Sequence, residues 1–478
     1  MFFRMVYDEN LAAAAYLIGC PRTGDAIVID PERDVDRYER LAAANGLRIV
    51  AVAETHIHAD FLSGARELAE KGAMVYVSDE GDAEWKYQWL DKKTGGGAYA
   101  HRMLRDGDVF RVGNIELRAV HTPGHTPEHI CFMVTDRGGG ADRPIGVATG
   151  DFVFVGDLGR PDLLETAAGV AGKADPSARR LYQSVRGFME WPDYLQVWPA
   201  HGAGSACGKA LGAVPQSTVG YEKMFNPSIR AAASEQGFVD SILDGQPEPP
   251  LYFARMKRDN KTGPRVLGSV PRPGPMTASE LRAVDGRTSA IVDTRPWAAF
   301  KAGHVRGALW LPINSSFSTD AGSMIDERET IYLIVEPSRV DEAVRGLIRV
   351  GLDTFGGWFD ASQMPQIDRS VIETTAEVSV PEALAMIDAH APFILDTRRK
   401  AEVAEGHIPG ATGITHTRLR SRLSELPKDR PILVNCRSGG RSGRACALLQ
   451  KHGYRATNLG GGFLAWEKER APTACPSP

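Results

Sequence analysis

Short apolar runs alternate with helical stretches along the chain up to about Gly220. Residues 26–30 (AIVID), 48–55 (RIVAVAET), 74–78 (MVYVS), 115–122 (IELRAVHT), 145–151 (IGVATGD) and 195–202 (LQVWPAHG) read as strands. Several of them end directly on polar residues. Strands alternating with helical segments predict an α/β domain, with its site at the strand ends. An apolar stretch at 11–20, followed by the turn residues Pro21 to Gly24, predicts a hairpin strand. It is far short of the roughly 20 residues that span a bilayer, and it lacks the basic flank of a signal peptide.

Between Asp244 and Pro275 the pattern dissolves into Pro, Gly and basic residues (DGQPEPP, KTGPR, VPRPGP), as expected of a linker or irregular extension. An internal repeat follows. IVDTRPWAAFKAGHVRGA from Ile291 parallels ILDTRRKAEVAEGHIPGA from Ile394, and Asp293 stands as far from His304 as Asp396 does from His407. Each copy continues with an apolar strand, a helix and a Gly-Gly-aromatic segment (FGGWFD and LGGGFLAWE), so two domains of one fold are expected. With 478 residues in all, several cores are required.

Composition narrows the class only a little. The chain is 43% apolar and 24% charged with a net charge of −4, which points to no nucleic-acid partner. Its six cysteines, at 20, 131, 207, 436, 446 and 475, show no paired short spacings. That usage suits a reducing cytoplasm better than a disulfide framework.

The candidate chemistry sits at two places. Thr-His-Ile-His-Ala-Asp (55–60) follows the strand RIVAVAE; later come His125 in HTPGHTPEH, Asp151 in ATGDFVF and His201 in WPAHG, each after an apolar run. Neutral imidazoles and carboxylates are ligands for divalent first-row metals. These HxHxD, PGH, GD and PAH elements resemble those of the metallo-β-lactamase superfamily over about the first 220 residues. The resemblance implies an αββα sandwich with a metal site. Where the superfamily usually carries a further histidine, this chain has Phe61, which weakens a second metal position. Two His and one carboxylate around a single metal leave open positions suited to Fe(II) and O₂.

Persulfide dioxygenases share this fold, and the resemblance assigns one Fe(II) per chain to His56, His125 and Asp151. His58, Asp60 and His201 are then expected to orient ligands, water or substrate. Arg160 and Asp162, in a segment resembling the family's GRxD element, are expected to brace the site. Cys207, in the glycine-rich loop after His201, is either a thiol near the metal or a buried inert residue. His121 and His129 receive no ligand role.

The second place is ILVNCRSGGRSGRACALL, where Cys436 follows an apolar strand and precedes a glycine-rich turn and a helix. Backbone N–H groups of such a loop form an anion cradle that favours the thiolate, and Arg437 and Arg441 add positive charge. A thiolate there can accept and pass on sulfane sulfur. With its Asp-Thr-Arg and Gly-His-Ile-Pro-Gly-Ala elements, the segment at about 375–470 resembles the rhodanese family. In the earlier copy Glu336 is expected where Cys436 stands, with a loop two residues shorter and Pro337 removing one N–H. His304 and His407 belong to fold motifs.

The expected organisation is therefore 1–245, metallo-β-lactamase-like dioxygenase; 246–275, extension; 276–370, inactive rhodanese-like domain; 371–478, active rhodanese domain. The implied reaction oxidises a low-molecular-weight thiol persulfide with O₂ to sulfite, with sulfur transfer through Cys436 forming or using thiosulfate. The alternatives are a two-zinc thioester or lactone hydrolase, and a sulfur-delivery scaffold without oxygenase activity. The family's architecture implies a homo-oligomer; no membrane partner is expected. Lys257, Arg258 and Lys261 are candidates for gripping the thiol carrier, or ordinary solvated surface.

Overall fold

The computed structural model describes residues 1–166 and 172–474, so Cys475 lies outside the described residues. The chain forms two compact units: Met1–Val270 with Ile348–Gly351, and Pro271–Leu347 with Leu352–Pro478.

The first unit is built on two six-stranded sheets. One takes its strands in sequence order, from Phe2–Asp8 and Ala13–Cys20 through Asp25–Ile29, Arg48–Ala53 and Met74–Ser78 to His101–Leu104. The expected hairpin is present, with Ala13–Cys20 antiparallel to Asp25–Ile29 across the turn at Thr23 and Gly24. The other sheet runs Ser217–Thr218, Gln196–Pro199, Gly146–Gly150, Ile130–Asp136, Ile115–His121 and Val109–Val112.

Side chains alternate across each strand. Tyr16, Ile18, Ile27 and Ile29 therefore meet Leu117, Phe132, Val134 and Trp198 between the sheets. Leu17, Val28, Val52 and Val75 face outward onto Tyr38 and Leu68 of the helices Asp36–Ala44 and Ala65–Glu70. On the opposite side Met133 and Val147 pack under Leu181, Val185 and Phe238 of the helices Ala174–Phe188 and Glu235–Leu243. This is the αββα sandwich.

Part of the segment expected to be irregular is a helix, Phe253–Thr262, with Phe253, Met256 and Asn260 buried. Its apolar positions are spaced for one helical face, a signal masked in the sequence by the Pro- and Lys/Arg-rich flanks.

The second unit holds two parallel sheets. The smaller orders Leu309–Trp310, Ala290–Asp293, Ile331–Val335 and Phe355–Asp360. The larger orders Ala376–Val378, Ala456–Leu459, Ile432–Asn435, Phe393–Asp396 and Thr412–Gly413. The repeat is carried by a common clasp. Arg295 binds Asp293 and donates to Gly303 O at 2.8 Å; Arg398 binds Asp396 and donates to Gly406 O at 2.6 Å. His304 and His407 each donate from Nδ1 to a carbonyl of the preceding helix, at 2.9 and 3.2 Å, which gives both a structural role.

The two copies are packed together. The helix Gly440–Lys451 lies against Trp297 and Trp310 of the earlier copy, so closely that a Cβ at Gly443 would sit 3.0 Å from one ring and 3.1 Å from the other. Among the described residues, no helix is long and apolar enough to cross a membrane.

Candidate metal centre and cysteine loop

Four strand ends converge in the first unit. The strand Arg48–Ala53 leads to His56, His58 and Asp60; Ile115–His121 to His125; Gly146–Gly150 to Asp151; and Gln196–Pro199 to His201. All six side chains are buried.

The imidazoles of His56, His125 and His201 each have one nitrogen tied to an acceptor. His56 Nδ1 donates to Thr55 Oγ1 at 3.0 Å, because that hydroxyl gives its own proton to Asp30 Oδ2 at 2.8 Å. His125 Nδ1 donates to the carbonyl of Arg160, and His201 Nδ1 to that of Ala12, both at 3.0 Å. The Nε2 lone pairs are thereby turned toward carboxylate oxygens. His125 Nε2 lies 3.4 Å from Asp151 Oδ2, and His201 Nε2 lies 3.2 Å from Asp60 Oδ2 and 3.4 Å from Asp151 Oδ1. No hydrogen bond satisfies His56 Nε2, His201 Nε2, Asp60 Oδ2 or either oxygen of Asp151.

Lone pairs facing lone pairs in a buried cluster repel unless a cation lies between them. Burial, with neighbouring His58 and His125, holds the His56 imidazole neutral, which is its ligand form; burial does the same for His125. Burial raises the Asp151 carboxyl, but His201 and His125 outweigh it and hold it low. The donor set therefore fits a divalent metal, with ligand atoms of His56, His125 and Asp151 within 4.8 Å of one another.

Asp60, His201 and Cys207 form a second such group beside it. Burial, together with Asp151 and Asp60, pushes the Cys207 thiol well above its ordinary range. His58 joins neither group. Its ring turns to Asp30 and Glu54 and stacks on Phe61 with 4.4 Å between centroids. Arg160 grips Asp162 through two bonds of 2.7 and 2.6 Å, while its own carbonyl holds His125.

Several residues that shape this site carried no recognisable signal. His129 Nε2 accepts from the Asp151 N–H at 3.1 Å, and burial lowers its pKa to about 3, so it stays neutral and fixes the backbone of a ligand residue. Glu128 accepts from the Ile57 N–H at 2.8 Å inside the HxHxD loop. Asn260 Nδ2 donates to the carbonyls of His58 and Phe61 at 2.8 and 2.7 Å, and its Oδ1 accepts from Ser63 N–H at 2.9 Å. Of the three basic candidates, Lys257 lies over the Trp85 ring at 3.8 Å, Arg258 pairs with Asp259, and Lys261 pairs with Glu84.

In the second unit Cys436 closes the strand Ile432–Asn435 and is itself buried. The Gly439 N–H donates to its Sγ at 3.1 Å, and Ser442 Oγ lies 3.3 Å away. The helix Gly440–Lys451 starts behind that turn. Arg441 binds Glu402 with both arms of its guanidinium at 2.7 Å, and its charge interacts with Cys436 without a hydrogen bond to the sulfur. Arg437 is exposed, and its carbonyl accepts from the Leu464 N–H at 2.9 Å.

The earlier copy corrects one expectation. Thr294 donates to Ile334 O just as Thr397 donates to Asn435 O, and Asp293 pairs with Ile334 as Asp396 does with Asn435. The residue in the cysteine position is therefore Val335, not Glu336, and the loop is one residue shorter, not two. Glu336 is exposed and opens a turn of 3₁₀ helix, Pro337–Arg339, in place of the glycine cradle. Strand pairing sets this register, which similar letters in two sequences cannot.

Comparison with known proteins agrees with both halves. Residues 9–201 match the metallo-beta-lactamase superfamily and residues 379–469 the rhodanese-like domain. A probable metallo-hydrolase of Burkholderia pseudomallei is 30% identical over 266 residues, which is 50% of this chain and 86% of that protein. A sulfurtransferase of Allochromatium vinosum is 41% identical over 92 residues, 19% of this chain and 86% of its own. The crystal structure of a metallo-beta-lactamase from Staphylococcus aureus subsp. aureus COL superposes with a TM-score of 0.67 at 39% identity, covering 75% of this chain and 98% of that one. The chain thus belongs to the metallo-β-lactamase superfamily through its N-terminal part and carries a rhodanese-like domain near its C-terminal end.

Proposed function

We propose that the chain is a persulfide dioxygenase coupled to a sulfurtransferase, with Fe(II) held by His56, His125 and Asp151. The overall reaction is RSSH + O₂ + H₂O → RSH + SO₃²⁻ + 2H⁺. When bound there, the metal would supply open coordination positions suited to O₂ and persulfide chemistry. The chain's own residues hold that arrangement. Thr55, the Arg160 carbonyl and the Ala12 carbonyl fix the three imidazole orientations. His129 fixes the Asp151 backbone. Arg160 with Asp162 braces the loop that carries that carbonyl.

Phe61 supports the mononuclear reading. It stands in the sequence where the superfamily usually carries a further histidine, and its ring, stacked on His58 with 4.4 Å between centroids, offers no ligand atom. Residues 371–478 then act as the sulfur-carrying domain. The Cys436 thiolate takes a sulfane sulfur and, as a persulfide, yields it to sulfite to form thiosulfate, regenerating the thiolate; the reverse transfer would load the thiol carrier. Residues 276–370 serve as its packing partner, since Val335 cannot carry sulfur. The effective concentration of sulfite near the second site rises because both sites share one chain.

The observation that carries this reading is the coexistence of the His56–His125–Asp151 set with the Cys436 cradle. The test is anaerobic purification, metal analysis and O₂ uptake with a thiol persulfide, for the wild type and Cys436→Ser. One iron per chain, with uptake that survives Cys436→Ser while thiosulfate gives way to sulfite, is expected.

A second reading has its own observation. Asp60, His201 and Cys207 converge beside Asp151, and with it they complete the ligands of a dinuclear zinc hydrolase. Two zincs per chain and no O₂ uptake would select it.

A further inference from the structure

Behind the HxHxD loop a third set of donors meets. Asp30 follows the strand Asp25–Ile29, Glu54 follows Arg48–Ala53, and His58 extends from the loop between them and Phe61. His58 Nε2 lies 3.1 Å from Glu54 Oε2 and 3.2 Å from Asp30 Oδ1, and none of the three side chains is more than 3% exposed. Three of the four carboxylate oxygens already accept hydrogen bonds, Asp30 Oδ1 from the Thr55 N–H at 2.7 Å. Asp30 Oδ2 accepts from Thr55 Oγ1, and Glu54 Oε1 accepts from Ser63 Oγ. Glu54 Oε2 and both ring nitrogens of His58 make no hydrogen bond, despite their burial and proximity. A cavity reaches Glu54 and His58 past Ser63, Arg66 and Tyr87, and the buried Tyr87 hydroxyl also lacks a partner.

We propose that Asp30, Glu54 and His58 form a separate divalent-cation site. Three observations carry it. The donor separations are those of a coordination shell: atoms each about 2.1 Å from one metal lie about 3.0–3.4 Å apart. The candidate metal centre shows the same spacing, with His125 and Asp151 3.4 Å apart. The contacts are also not hydrogen bonds, because an Nε2 proton would point between the two carboxylates and serve neither well. Charge balance points the same way. Two carboxylates buried around one imidazole are a donor set whose charge a divalent ion cancels.

One imidazole and two carboxylates make a harder donor set than His56, His125 and Asp151, suited to Mn²⁺, Fe²⁺ or Zn²⁺. The site is wired to the neighbouring one. Asp30 holds Thr55, and Thr55 holds His56 Nδ1, so an ion on Asp30 sets the orientation of a ligand of the other centre.

The proposal holds whichever metal occupies the His56 site, and it is tested by position. Crystals of the full chain soaked in millimolar Mn²⁺ are measured for anomalous scattering. The expected map has a peak within bonding distance of Asp30, Glu54 and His58, distinct from any at His56, His125 and Asp151. Glu54→Gln should lose the first peak, keep the second, and retain one cation fewer per chain after equilibrium dialysis. No peak at the triad in wild-type crystals overturns the proposal, even if Glu54→Gln fails to fold. So does a triad peak that is unchanged in Glu54→Gln. A missing peak at His56 would overturn the metal assignment of the proposed function and leave this site standing.

Discussion

Replacing Asn260 with alanine tests whether a helix about 200 residues away in sequence holds the metal loop in shape. Asn260 is 3% exposed and makes three hydrogen bonds, donating to the His58 and Phe61 carbonyls and accepting from the Ser63 N–H. Alanine removes all three and leaves two carbonyls and one N–H buried with nothing to bind. At about 1 kcal/mol for each bond the loss is about 3 kcal/mol, and more if water cannot enter. In a unit of this size that lowers the unfolding midpoint by about 6–12 °C. The same loop carries His56 and Asp60, so metal affinity should fall about 10–100-fold, as for other groups that orient ligands. Calorimetry of the N-terminal transition and competition with a chelator read the two effects. Asn260→Asp should be intermediate at best, since a carboxylate can accept from Ser63 but cannot donate to the carbonyls. An alanine variant with an unchanged midpoint and unchanged metal retention would refute the argument.

Other expectations follow from the same geometry. Gly150 has φ +51°, and a Cβ there would lie 2.6 Å from both His129 Nε2 and Thr55 Oγ1, so Gly150→Ala should cost metal content as well as stability; metal analysis of the purified variant checks this. Burial raises the Glu402 carboxyl, but its bonds to Arg441 outweigh that and hold it at about 2, below the ordinary 4.5. A depressed carboxyl stabilises the fold above its unfolded pKa, and this contribution drains away as pH falls from 4.5 to about 2. The pair is partly solvated, so the gain is only about 1 kcal/mol; Glu402→Gln should flatten this acid limb in unfolding curves of the second unit. Val335→Cys combined with Cys436→Ser should show no sulfurtransferase activity, because Pro337–Arg339 replaces the glycine turn; recovered activity with thiosulfate as donor would show that position alone suffices.

The residues of the candidate metal centre were legible because their chemistry is rare and each follows an apolar run: His56, His125, Asp151 and His201 stand out in the text as they do in space. Their supports were not. Asp30 and Glu54 are acids at strand ends like many others, and only the parallel pairing of Asp25–Ile29 with Arg48–Ala53 brings them to one imidazole. His129 was visible but had no assigned task, since accepting from a backbone N–H leaves no spacing signature. Asn260 lay in a segment whose prolines and charges suggested irregular chain, and its partners are remote in sequence. The αββα layering and the repeat were legible from periodicity and similarity, whereas the register of the cysteine-less copy depended on hydrogen bonds that no alignment of letters contains.

The close seat of Gly443 against Trp297 and Trp310 has a wider consequence. A duplicated domain normally meets its sibling as a separate molecule, in an equilibrium that dilution can undo. Here the sibling has Val335 in the cysteine position and the same Asp–Arg clasp, and it covers the helix that follows Cys436. The pair behaves as a heterodimer that one polypeptide never lets dissociate, so the cysteine-bearing copy is free to drift toward a surface that would be insoluble alone.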